Sequence, residues 1–262
     1  MPKLSYIYYK TVRGFLHLPF RKAETICETP LDNDPAVFVC NHANVNGPVM
    51  MTLHFKRPHQ SWTISYAMDK EHTAGYAFHD VLFGNSHKHK KWYRFLSRIV
   101  GKCLPPLLIY AGTIPVYHDS GIIKTFKQSV KALTGGEDLV IFAESPARFS
   151  DYVCELQPGF IDLARLYYRK TKKALKFYPV YLNKKNRVIS VGSPIAYDPD
   201  LSMDEQRDTI TTYLRDNIDR LGRSLPPHQP VPFYPPRWYA AYGQYEHDVA
   251  GYWQMIQNDD QN

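Results

Sequence analysis

A strand–helix–strand pattern between residues 109 and 143 constrains the fold more than any other part of the sequence. IYAGTIPVY (109–117) is apolar enough for a buried strand, residues 120–134 carry apolar side chains at helical spacing, and LVIFA (139–143) is a second apolar strand. Gly135-Gly136 marks the end of the helix. This order predicts a right-handed crossover and a parallel pair of strands.

An earlier apolar run, Ala36 to Cys40, predicts another buried strand, which stops at Asn41-His42. Open α/β sheets place their ligand sites at the carboxyl ends of strands. The strand of residues 139–143 ends at Glu144, so we expect His42 and Glu144 at the same edge of the sheet. A histidine there can serve as a general base near neutral pH.

The second half of the chain adds strands, a helix and an extension. FYPVYL (177–182) and RVISVG (187–192) predict two strands joined by a polar turn. A capping box of Ser202 and Glu205 predicts a helix that runs to about Leu221. The predicted fold class is therefore α/β, with a mixed, partly parallel sheet and helices around it. We expect this domain to span residues 1–221, followed by a Pro- and aromatic-rich C-terminal extension over residues 222–262.

Two basic segments predict helices at a surface. Residues 4–21 have the pattern of an amphipathic helix, and HKHKKWYRFLSRIVGK (87–102) combines basic and apolar side chains at helical spacing. Each helix either faces an anionic membrane or packs on the domain with a solvated basic face. No apolar run reaches the roughly 20 residues of a spanning helix, and a signal peptide is not indicated. We expect a cytoplasmic protein, peripheral on the cytoplasmic membrane face.

Charge and composition limit the classes of partner that we expect. The net charge of +7 favours anionic partners such as lipid headgroups. No nucleic-acid-binding motif accompanies the charge, so a nucleic acid is not an expected partner. The four cysteines form no C-x-x-C pair, which favours reduced thiols. We expect no metal, because the histidines match no structural zinc spacing.

Four blocks stand in order along the chain: NHANVNG (41–47), GTIPVY (112–117), VIFAESPAR (140–148) and YPVYL (178–182). Their order and spacing resemble the phospholipid and glycerol acyltransferase superfamily, which includes lysophosphatidate acyltransferases, over residues 4–195. The resemblance implies transfer of a fatty acyl group from acyl-CoA or acyl-ACP to a hydroxyl of a lysophospholipid or glycerol-phosphate acceptor, as in phospholipid biosynthesis. It implies no cofactor, because the acyl-CoA or acyl-ACP donor is a substrate.

The resemblance also assigns roles to single residues. His42 matches the general base of the family. The first block of the family carries an Asp that orients this histidine, and Gly47 stands in its place here. His118 stands where the second block of the family has an Arg, and Arg148 comes one residue later than the Arg of the third block. The residues expected to bind substrate are Asn41, His118, Glu144 and Arg148.

Because Gly47 has no carboxylate, another group has to orient the His42 ring if the protein is an active enzyme. The sequence leaves three kinds of group open: an amide side chain, a carboxylate from another loop, or a backbone carbonyl. If none of them acts, the protein is a catalytically weakened or inactive relative that binds lipid or acyl chains. The side-chain candidates are Asn44, Asn46, Asp69, Asp80 and Asp119.

Overall fold

The computed structural model of the protein describes residues 3–84, 87–117, 120–145 and 152–234. Three residues singled out above, His118, Asp119 and Arg148, lie outside these ranges. The predicted C-terminal extension is described only as far as residue 234.

A single mixed sheet organises the described chain. The strand order is β1-β7-β6-β2-β5-β3-β4, and β8 pairs with β6. The five strands from β6 to β4 along this order are parallel, whereas β7 and β8 run antiparallel to β6. The mixed α/β fold class is therefore confirmed. The strands are β1 (Glu24–Cys27), β2 (Val37–Cys40), β3 (His59–Ile64), β4 (Thr113–Val116), β5 (Asp138–Ile141), β6 (Lys176–Asn183), β7 (Val188–Val191) and β8 (Ile195–Ala196).

Helices surround the sheet. A π-helical turn, Ala77–Val81, and two short 3₁₀ helices, Ser65–Ala67 and Pro158–Ile161, connect them. The capping box predicted at Ser202 and Glu205 is present at the start of the last helix. The α-helices are α1 (Lys3–Leu16), α2 (Asn46–His54), α3 (Thr73–Tyr76), α4 (Lys90–Tyr110), α5 (Ile122–Thr134), α6 (Asp162–Thr171) and α7 (Met203–Ser224).

The strand–helix–strand prediction is confirmed for its three elements, but the predicted pairing of its two strands is wrong. β4, α5 and β5 follow one another, and the two strands are parallel. They do not pair with each other, because β3 lies between them: Ser61 aligns with Thr113 on one side and with Val140 on the other. The crossover through α5 therefore passes over one strand.

The predicted strand 109–117 is also shorter than expected. Residues 104–110 belong to α4, which continues through Pro105 and Pro106 as far as Tyr110. Leu104, Leu107, Leu108 and Ala111 line one cavity, which is the spacing of a helix face. The two prolines hide this helical periodicity in the sequence.

The central strands are buried on both faces, as their apolar runs predict. In β2, Val37 and Val39 point into a core formed with α5, α6 and α7, whereas Phe38 and Cys40 point into a second core beneath α2. Four apolar side chains at helical spacing on α7 are buried: Ile210, Leu214, Ile218 and Leu221.

Candidate active site

His42 lies at the carboxyl end of β2, in a tightly curled loop. Ala43 and Asn44 have positive φ values of 46° and 57°. A left-handed conformation costs a residue with a side chain roughly 1–2 kcal/mol, although Asn tolerates it better than most. The Asn44 side chain supports the curl by accepting a hydrogen bond from the N–H of Val45 at 2.7 Å. The curl turns the carbonyl of Asn44 back toward the His42 ring.

The His42 ring is held in one tautomer. Its Nδ1 lies 2.6 Å from the carbonyl oxygen of Asn44. A carbonyl only accepts, so the neutral ring carries its proton on Nδ1 and keeps the lone pair of Nε2. Burial lowers the pKa of His42, and the hydrogen bond to Asn44 opposes that effect. Among the three kinds of group that the sequence left open, the backbone carbonyl occupies this position.

Gly47 is packed so closely that it excludes a side chain. A Cβ atom built on it would lie 2.5 Å from the carbonyl oxygen of His42 and 2.9 Å from that of Asn41. The N–H of Gly47 donates to the same His42 carbonyl at 3.1 Å. The family's Asp therefore does not fit this loop unless the backbone of the histidine moves.

We expect Gly47→Asp to destabilise the protein. The clash with two backbone oxygens should cost about 1–3 kcal/mol of stability and should displace His42. Gly47→Ala is the matched control, because it adds the same Cβ without a carboxylate. Chemical denaturation should give similar losses of stability for both variants. A Gly47→Asp variant as stable as the wild type would contradict this packing argument.

Glu144 connects the His42 loop to a second segment. It follows β5, is only 6% exposed, and lies at the same sheet edge as His42, as the strand pattern predicts. One carboxylate oxygen accepts the backbone N–H of His42, and the other accepts the N–H of Cys154 at 2.7 Å. Burial raises the pKa of Glu144, and the two N–H groups counteract this rise. The carboxylate therefore joins the His42 loop to the segment of Cys154, and the substrate contact expected of Glu144 stays a prediction.

The Asn41 side chain makes its hydrogen bonds within the sheet. Its side-chain oxygen accepts the N–H of Leu182 at 2.7 Å, and its side-chain nitrogen donates to the Leu182 carbonyl at 3.3 Å. The amide is buried, and these two bonds join the end of β2 to β6. The expected contact between Asn41 and substrate stays a prediction.

A cavity of about 590 Å³ opens beside His42 and Glu144. Its walls come from α1, α2, α4, β3 and β4, and most of its described lining is apolar. The described basic side chains of the lining are His42 and Arg13. This volume and character suit an apolar ligand with one reactive polar end. The two other residues expected to bind substrate, His118 and Arg148, fall outside the described ranges.

No protein-family model matches the chain, and no curated protein sequence matches it significantly. Among solved structures, the chain is similar to the 1-acyl-sn-glycerophosphate (LPA) acyltransferase PlsC from Thermotoga maritima. The identity is 13%, the match covers 86% of this chain and 81% of that chain, and the TM-score is 0.46. Similarity at this level does not assign a function.

Metal-ligand groups and membrane-spanning helices are both absent from the described residues. In the ranges given above, no three His, Cys, Asp or Glu side chains are grouped as metal ligands would be. Over the same ranges, none of the helices combines the length and apolar character that crossing a bilayer demands.

The sequence did not point to one residue of the site. Phe233, from the Pro-rich segment after α7, lies against the His42 ring with a centroid distance of 4.6 Å. The only signal was the density of aromatic residues in that part of the chain, because such side chains need a surface to cover.

Proposed function

We propose that this protein is an acyltransferase that moves a fatty acyl group from acyl-CoA or acyl-ACP to a hydroxyl of a lysolipid or glycerolipid acceptor. One observation carries the proposal: the His42 ring, fixed with Nδ1 on the Asn44 carbonyl, lines an apolar cavity of about 590 Å³. The order of the four sequence blocks is consistent with it.

In the proposed reaction, the acyl chain of the thioester occupies the cavity, with its carbonyl carbon near His42. The acceptor hydroxyl oxygen attacks this carbon while Nε2 of His42 takes the hydroxyl proton. The carbon–sulfur bond then breaks, and the thiol leaves with the proton that Nε2 returns. The products are an ester and the free thiol, and the imidazole is regenerated.

The backbone carbonyl substitutes for only part of what a carboxylate provides. In a Ser-His-Asp triad, replacing the Asp lowers the rate by about 10⁴, largely because the ring adopts the wrong tautomer. Here the Asn44 carbonyl keeps the productive tautomer, but it carries no full negative charge to stabilise the imidazolium. We therefore expect a working base with a slower chemical step than a carboxylate-paired histidine would support.

A lipid-binding protein without turnover is the second candidate function. The observation that favours it is the same neutral partner on Nδ1, since an uncompensated imidazolium in a buried site is costly. The two functions differ in what happens to a bound acyl thioester: the enzyme releases thiol, whereas the binding protein retains the thioester intact.

We also propose that the protein lies on the cytoplasmic face of a membrane. Helix α1 packs on α4 through the Tyr8 hydroxyl, which donates to the carbonyl of Cys103 at 3.2 Å. The outer side of α1 leaves Ile7 and Phe15 58% and 67% exposed. On α4, exposed apolar and basic side chains lie together, a pattern suited to an anionic lipid surface. These α4 residues are Lys91, Trp92, Phe95, Arg98, Ile99 and Lys102.

The direct test supplies purified protein with acyl-CoAs of short, medium and long chains and with lysophosphatidate in anionic or zwitterionic vesicles. Thiol release is followed with a chromogenic disulfide, and the lipid product is identified by mass spectrometry. We expect acceptor-dependent thiol release matched by the diacyl product, and stronger sedimentation with anionic vesicles. Acyl-CoA of every chain length that binds but survives intact would support the lipid-binding function instead.

A further inference from the structure

We call the segment that follows α7, residues 226–234, the brace. Its beginning contacts β6 and the turn after β6: Nε2 of His228 lies 2.8 Å from the Tyr181 hydroxyl, and the Asn186 side chain donates to the Pro226 carbonyl at 3.3 Å. The brace includes four prolines, and a proline-rich segment behaves as a semi-rigid spacer. The brace is therefore a stiff piece of chain that starts from a fixed position on the sheet.

The other end of the brace contacts the His42 ring. The centroid of the Phe233 ring lies 4.6 Å from that of His42, and the centroid of the Phe142 ring lies 5.3 Å from it. Phe142 directly follows β5, so it belongs to the sheet edge. The imidazole thus contacts one aromatic ring from the sheet edge and one from the brace.

Phe233 also contacts Asn44, the residue whose carbonyl orients the imidazole. The Asn44 side-chain nitrogen lies 3.5 Å from the Phe233 carbonyl oxygen, which is a long hydrogen bond. The Asn44 side-chain oxygen accepts the N–H of Val45. One residue of the brace therefore contacts both members of the hydrogen bond between His42 and Asn44, the ring through its side chain and the loop through its main chain.

The hydrogen bond to Asn44 does not fix the plane of the ring by itself. The χ2 torsion of a histidine is broad, so its own rotamer preference leaves the ring free to rotate. The half-buried Phe233 ring occupies the space beside the imidazole, space through which water could otherwise reach Nδ1. An aromatic contact of this kind shifts an equilibrium by about 2- to 12-fold, which is enough to bias the orientation of one ring.

We propose that Phe233 is a positioning residue for His42, which keeps the imidazole on the Asn44 carbonyl with the proton on Nδ1. The brace lies beyond residues 4–195, the part of the chain that resembles the acyltransferase superfamily, so one wall of the candidate site comes from outside that part. The benefit to catalysis rests on the proposed acyltransferase function, whereas the holding of the ring does not.

Nitrogen-15 chemical shifts of labelled histidine side chains test the positioning role without turnover, because they distinguish a protonated ring nitrogen from an unprotonated one. The spectra are recorded at about pH 8, where imidazole is neutral, and the His42 signals are identified by their loss in His42→Gln. We expect the ratio of the Nε2-protonated to the Nδ1-protonated form of His42 to rise roughly fivefold in Phe233→Ala. Phe233→Tyr retains the ring and should keep the wild-type ratio.

Further variants separate positioning from general loosening. Val231→Ala changes an exposed residue of the brace and should leave the His42 ratio unchanged. His59, whose Nδ1 lies 2.8 Å from the Arg57 carbonyl, should keep its shifts in all variants. Phe233→Leu retains bulk without a ring, so it should raise the ratio less than Phe233→Ala and serves if the latter does not fold. An unchanged His42 ratio in the folded variants, or a parallel change at His59, would overturn the proposal.

Acyl-transfer assays on the same proteins distinguish the positioning role from the proposed function. A raised His42 ratio in Phe233→Ala, together with an absence of transfer by both the variant and the wild type, would uphold the positioning role and reject the acyltransferase. Transfer by the wild type with an unchanged ratio in the variant would do the reverse.

Discussion

Replacing His42 by Gln should lower the rate of the proposed acyl transfer by about 10²–10⁴-fold, the usual contribution of a general base. The Gln side chain is similar in size and can donate to the Asn44 carbonyl, but it cannot accept the acceptor's proton. Binding of the acyl-CoA should change little, because the cavity walls remain. Thiol-release kinetics and a direct acyl-CoA binding measurement check the two parts of this expectation.

The chain offers a matched control for this substitution. His59 also has its Nδ1 close to a backbone carbonyl, at 2.8 Å from that of Arg57. His59 is not among the residues that line the cavity. His59→Gln should therefore retain wild-type transfer. Equal rates for His42→Gln and the wild type would remove the proposed base.

The pH dependence of kcat/KM should reflect the protonation of His42. Burial lowers the pKa of His42 below its ordinary value of 6.5, and only the neutral ring accepts a proton. The value of kcat/KM should rise with pH through this lowered pKa and then level off between about pH 6.5 and pH 8. Because the unfolded chain binds the proton more tightly, the same shift should reduce folding stability as the pH falls below 6.5. A rising limb centred above neutral pH would contradict the assignment.

Replacing Glu144 by Gln should cost both stability and rate. The amide offers one acceptor oxygen, so one of the two buried N–H groups, from His42 or Cys154, has to face an NH₂ group. We expect a loss of about 1.5–3 kcal/mol, the range for hydrogen bonds to charged groups. A displaced His42 should also lower kcat, since an error of about 1 Å in a reacting group can cost 10²-fold. Urea denaturation and steady-state kinetics measure these effects.

Glu155→Gln is the control for Glu144. Glu155 belongs to the same region, but its carboxylate is 73% exposed and pairs with Arg215, and such a surface pair contributes about 0–1 kcal/mol. We expect a small effect on stability and none on kcat. If Glu144→Gln instead kept full stability and raised only the KM of the acceptor, then Glu144 would bind substrate, as the family resemblance implies.

The sequence predicted the parts of the site that depend on strand patterns. The apolar runs before His42 and Glu144 are long enough to identify buried strands, and parallel strands place their carboxyl ends at one edge. The position of β3 between β4 and β5 was not predictable in this way, because the local periodicity of a strand does not determine which strands become its neighbours. The helical face of α4 was concealed by Pro105 and Pro106.

The group that orients the His42 ring lay beyond sequence reasoning for a different reason. It is a backbone atom, and its direction depends on the left-handed conformation of Ala43 and Asn44. That conformation occurs beside Gly47, whose missing side chain leaves room for the His42 carbonyl. None of these residue types predicts the contact by itself, because the residues come together only in the folded loop.

Orientation by a main-chain oxygen has a consequence for mutational surveys. Alanine scanning removes side-chain atoms, so it leaves the main-chain carbonyl oxygen of Asn44 in place. Such a scan therefore does not identify the group that orients His42. A substitution at position 44 likewise keeps this oxygen, provided that the new residue accepts a positive φ and the loop keeps its curl without the hydrogen bond from Val45. A search for this arrangement in other chains should therefore compare loop conformations rather than residue identities.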